Sequence, residues 1–110
     1  MLNITAVGRV AFDPEQKQIN DELCVTKFKI LVNKKIKGED VVSAISCSVW
    51  GNRGNTVMQY INKGDQITVS GGGTIRAYAR NNGEPSAEID LRVDEFTLPA
   101  RPKKPAELPF

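Results

Sequence analysis

Apolar residues stand at every second position through much of this chain, and that spacing limits the fold more than any other feature. Phe28, Ile30 and Val32 alternate with Lys27, Lys29 and Leu31. Ile45, Cys47 and Val49 alternate with Ala44, Ser46, Ser48 and Trp50. Ile89, Leu91 and Val93 alternate with Glu88, Asp90, Arg92 and Asp94. A period of two is that of a strand with one face buried. The segments "LNITAVGRV", "CVTKFKILVN", "VVSAISCSVW", "DQITVSGGGTIRAYA" and "SAEIDLRVDEFTL" therefore read as five strands in order.

The period changes once, between the third and fourth strands. In "GNRGNTVMQYINKG", Val57, Met58 and Ile61 fit one helical stripe. Asn52 or Asn55 suits the helix N-cap, and Gly64 its C-terminal cap. "FDPEQKQINDE" reads as a turn-rich connection and "KKIKGED" as a charged loop, while Asn82-Gly83 marks a tight hairpin. Three strands, a helix and two strands predict an all-β domain: a five-stranded OB-fold barrel with one short helix between strands 3 and 4. The run Gly71-Gly72-Gly73 would bend the fourth strand at a barrel corner. A small α+β sandwich is the alternative. The barrel is expected over residues 1–99. Prolines at 99, 102, 105 and 109 make 100–110 an extended tail.

Charge is distributed unevenly along the 110 residues. Residues 1–99 hold 12 basic and 12 acidic side chains, whereas Arg101, Lys103, Lys104 and Glu107 leave the tail at +2. A neutral body must bind a polyanion through a local patch. The chain has no His and only two cysteines, Cys24 and Cys47, which excludes common zinc spacings and Cys-His or Ser-His catalysis. Both cysteines read as reduced sheet residues. Asp13, Glu15, Asp90 and Asp94 show no pairing suited to acid–base work, and "GGGTIR" lacks the Lys-Ser/Thr of a phosphate loop. No enzyme, metal or cofactor is expected. No apolar run reaches the roughly 18 to 20 residues of a membrane span, and the N-terminus has no secretory pattern, so an intracellular protein is expected.

Two surface features suggest a ligand. Lys27, Lys29, Lys34, Lys35 and Lys37 fall close together with no acid among them. Trp50 falls on the Ser/Ala face of its strand, away from the apolar row, and Tyr78 shares a face with Arg76, near Arg80. Aromatic faces among cations suit unpaired nucleotides: bases stack on the rings and the cations neutralise phosphates. Arg53, at the start of the helix, is a further phosphate candidate. A duplex fits poorly, since the helix is not a basic recognition helix.

"VGRVAFDPE", "VTKFKILVN", "VWGNRGNTVMQYINKGDQITVSG" and "IRAY" follow in order and spacing the pattern of bacterial-type single-stranded DNA-binding proteins. The resemblance covers residues 2 to 98. It implies an OB-fold that wraps and protects single-stranded DNA regardless of sequence during replication, repair or recombination. It also implies a homotetramer, with a dimer as the other option, in a bacterial cytoplasm at the nucleoid. Trp50 and Tyr78 match stacking positions of the family. The ending Glu107-Leu108-Pro109-Phe110 resembles the family's acidic tip, which docks onto replication and repair proteins. The chain departs from the pattern in several places. Its tip holds one acid, and the linker to it is short. Ala44 stands where the family often has tryptophan, and Ile45 where it has an assembly-linked histidine. The alternative is a primosome-type accessory protein on the same fold, working mainly through protein contacts.

Overall fold

The computed structural model describes residues 1–98. Elements follow in the order β1 (Asn3–Val10), β2 (Glu15–Gln18), β3 (Cys24–Ile36), β4 (Glu39–Trp50), α1 (Arg53–Tyr60), β5 (Gln66–Ala79) and β6 (Pro85–Phe96). Five of the strands close a barrel in the order β1-β5-β6-β4-β3, with Arg9 and Val10 of β1 returning to Leu31 and Ile30 of β3. The β4–β6 contact is parallel and the others are antiparallel. This is the expected OB arrangement, with the helix in the expected place. The tail, 100–110, lies outside the described residues.

The alternation read from sequence is the one that fills the core. Phe28, Ile30, Ile45, Cys47, Val49, Leu91 and Val93 are buried, joined by Ile67 and Val69 of β5 and by Val57 and Ile61 from the helical segment. Cys47 is sealed here, and burial pushes its thiol up to about 12, which leaves it inert near neutral pH.

The structure corrects four local expectations. The "turn-rich" connection holds β2, which pairs Glu15–Gln18 with Lys27–Cys24 along the same edge of β3 that β1 reaches. Every residue of β2 is exposed, so no apolar period announces it; its main chain alone makes the ladder. The "charged loop" is the tip of a long β3–β4 hairpin. Its turn, Lys37-Gly38, has φ of 52° and 82°, the paired positive angles of a type I′ turn. Met58 is exposed while Val57 and Ile61 are buried, because a helix of eight residues presents only a narrow face to the barrel. Gly64 does not cap the helix. The C-cap is Ile61, in extended conformation, and Gly64 lies beyond it, its N–H bonded to Val10 O at 2.8 Å. Asn52 holds the N-cap position without a side-chain hydrogen bond.

Helix α1 lies against β3 through Gly54. A Cβ there would fall 2.0 Å from Thr26 Oγ1, so only a bare backbone permits this approach. Thr26 is fully buried and accepts a hydrogen bond from Gln16 Nε2 at 3.2 Å.

Candidate nucleic-acid interface

With Phe28 and Cys47 facing the core, pleating turns Lys27, Lys29, Ser46, Ser48 and Trp50 to the outer face. Register extends that face across four strands. Lys29 pairs with Ser46, Ser46 with Asp90, Asp90 with Thr74, and Arg76 with Glu88. The result is an open groove of about 680 Å3, lined by Phe12, Glu15, Lys27, Lys29, Ser46, Ser48, Arg76, Glu88 and Asp90.

Glu88 is the centre of the groove's electrostatics. Its side chain is only 10% exposed, yet it meets groups from three other strands. Lys29 Nζ of β3 lies 2.9 Å from Oε1, Ser46 Oγ of β4 donates to the same oxygen at 2.5 Å, and Arg76 Nη2 of β5 lies 3.2 Å from Oε2. Arg76 Nε also donates to Asp90 Oδ2 at 3.0 Å. A buried carboxylate is tolerated when it is paired and hydrogen-bonded in this way. The Ser46 hydroxyl and the Lys29 ammonium hold the Glu88 carboxyl below its ordinary range. The Asp90 carboxylate raises the Arg76 guanidinium, which stays charged.

A lowered carboxyl stabilises the fold above its ordinary value of 4.5, and the contribution fades as pH falls through the lower folded value. Between neutral pH and pH 3, the wild type is therefore expected to lose more stability than Glu88→Gln, as read by urea midpoints at each pH. Equal losses would show that Glu88 gains nothing from its partners.

Aromatic rings flank this charge cluster. Trp50 ends β4 and is 39% exposed; with Leu23 and Arg92 it lines a second hollow of about 500 Å3. Tyr78 is 41% exposed, and the Arg76 guanidinium lies over its ring at 5.4 Å from the centroid. Phe12 and Arg92, which line these hollows, are not among the sequence candidates, although a signal exists for each. Phe12 is a large aromatic entering a turn, with no strand to bury it. Arg92 alternates with buried Leu91 and Val93 and so must face outward.

A model of the Single-strand binding protein family matches residues 1–99. The chain belongs to that family. Similar proteins include a "Single-stranded DNA-binding protein" of Chlamydia trachomatis, 26% identical over 99 residues, which cover 90% of this chain and 63% of that protein. Another is the protein so named in Clostridium perfringens, 33% identical over 97 residues, or 87% of this chain and 64% of that one. The chain thus spans less than two thirds of the length of these relatives. Among solved structures, a small single-stranded DNA-binding protein from Streptomyces coelicolor shares the fold, with a TM-score of 0.71 and 18% identity over 88% of this chain and 93% of that one.

Within this fold the sequence candidates separate. Lys27, Lys29 and Arg76 come together in the groove, with Trp50 and Tyr78 on the same outer face. Lys34, Lys35 and Lys37 stand out on the β3–β4 hairpin, where alternation puts Lys34 and Lys35 on opposite faces. Register sets Asp40 opposite Lys35, so one acid of the returning strand tempers the lysine run. Arg53 lies over the Phe96 ring at 5.4 Å, and Arg80 sits in the β5–β6 turn; neither lines the groove. The tip candidates Glu107, Leu108, Pro109 and Phe110 lie outside the described residues.

Proposed function

We propose that this chain binds single-stranded DNA without reading its sequence and protects it during replication, repair or recombination. The observation that carries this reading is one outer sheet face with exposed Trp50 and Tyr78 on the same side as Lys27, Lys29 and Arg76. Bases stack on exposed rings, and stacking tolerates any base. The family membership and the relatives' names support the ligand. A duplex reader is disfavoured: α1 packs Gly54 and Val57 on the barrel and has no basic residue in its last turn. The chain acts as a binding module and not as an enzyme.

The assembled form in this proposal is a homo-oligomer, a tetramer by family pattern. The support is an apolar area where Val42 and Ile75, 56% and 68% exposed, line a hollow with Ala44 and Ile89; exposed apolar patches favour cover by another surface. Among the described residues no helix is long and apolar enough to cross a membrane. The proposed site is the bacterial cytoplasm at the nucleoid. Residues 107–110 would dock onto replication or repair proteins.

The test is a titration with a thymine oligonucleotide and with duplex of equal length, followed by Trp50 fluorescence. Strong quenching by the single strand and little by the duplex is expected. The binding constant should fall with salt, with a log–log slope near about −0.7 for each phosphate neutralised. No response to either nucleic acid, confirmed by mobility shift, would overturn the reading.

A further inference from the structure

We infer that Glu88 and Asp90 set the affinity of the groove by holding, in the free protein, the cations that would otherwise meet phosphates. This rests on the single-strand reading above.

The lining of the groove is electrically balanced. Lys27, Lys29 and Arg76 face Glu15, Glu88 and Asp90 across the same space. The formal charges of these six side chains sum to zero. The balance is also organised in contact. Lys29 places its ammonium 2.9 Å from a carboxylate that is itself nine-tenths buried, so the charge is directed to the groove floor. Arg76 commits Nε to Asp90 at 3.0 Å and Nη2 to Glu88 at 3.2 Å. Its guanidinium also covers one face of the Tyr78 ring. One arginine thus ties two carboxylates to a stacking aromatic.

A phosphate contacting Lys29 or Arg76 must either share the cation with a carboxylate or displace it. Displacing Glu88 strands a buried negative charge. Displacing Asp90, which keeps 42% of its side chain exposed, is the cheaper exchange. The carboxylates therefore act as intramolecular competitors for the DNA backbone. They leave the stacking surfaces to supply a larger share of the binding than the count of lysines and arginines suggests.

The experiment compares wild type, Asp90→Asn and Glu88→Gln/Asp90→Asn, binding a labelled thymine oligonucleotide by anisotropy over a salt series. Circular dichroism checks the fold of each. Each substitution removes the charge and keeps one acceptor oxygen, while its amide nitrogen replaces the second. The introduced asparagine can accept one of the two Arg76 bonds, and the introduced glutamine can accept from Ser46 and Lys29 or from Arg76. Asp90→Asn is expected to bind about threefold tighter and the double variant about tenfold tighter, in line with the size of exposed ion pairs. The salt slope should steepen by up to about 0.7 for each phosphate newly neutralised. If the double variant fails to fold, Asp90→Asn alone decides the matter. Unchanged or weaker binding by a folded variant, while wild type still binds the oligonucleotide, overturns this inference alone: the carboxylates would then only position Lys29 and Arg76. A wild type that binds no single strand overturns the function and this inference together.

Discussion

Gly71→Ala should destabilise the barrel by about 3 kcal/mol or more, at the upper end of what overpacking costs. A Cβ at this position would fall 1.9 Å from Arg92 O, 2.9 Å from Asp94 N and 3.0 Å from Arg92 C. All three are main-chain atoms of β6, so no side-chain rotation can relieve the contact. The site is also where β5 and β6 slip register: Ser70 pairs with Glu95 but Gly71 with Val93. The extra residue, Asp94, belongs to β6, so β6 is the strand that bends here, and the bare glycine of β5 lets it pass close beneath. The gain from a stiffer unfolded chain, about 0.4–1 kcal/mol for Gly→Ala, is too small to compensate. Gly72 provides the control, because a Cβ there meets nothing within 4 Å. In urea denaturation, Gly71→Ala should lower the midpoint by about 1 M or more, at the slopes usual for small domains. Gly72→Ala should leave it near the wild-type value. Equal midpoints for the two variants would mean that β5 and β6 are not in the register described.

Trp50→Ala should weaken single-strand binding by about 1–3 kcal/mol, a loss of roughly five- to 150-fold. The ring stands at the end of β4 with 39% of the residue exposed and the buried Val49 on the opposite side. It is not needed to fill the core, so its removal should cost affinity far more than stability. Anisotropy of a labelled thymine oligonucleotide measures the first, and the urea midpoint the second. A variant with normal affinity would remove Trp50 from the site. A large fall in stability would instead assign the ring to packing.

The sequence candidates whose direction is plainest lie on strands whose inward face is unmistakable. Lys27 and Lys29 alternate with Phe28 and Ile30, and Trp50 follows Val49, so their outward direction was legible. The lysines of the hairpin were legible as charges but not as a surface. Asp40 opposes Lys35 only because β3 continues to Ile36 and turns back through Lys37-Gly38. Phe12 belongs to no alternating run, and its place beside the groove depends on where the connection from β1 to β2 travels.

By itself, the sequence determined the inward faces of β3, β4 and β6, the position of helix α1, the turn at Asn82-Gly83 and the outward rings of Trp50 and Tyr78. These are local matters, settled by side-chain period and by turn chemistry within a few residues. Only the tertiary structure decided that β2 is a strand, since main-chain pairing of four exposed polar residues leaves no apolar pattern. It alone decided that Lys29, Ser46 and Arg76 converge on Glu88. Those four side chains lie on four strands far apart in the chain, and the pairing that aligns them exists only after the barrel has closed.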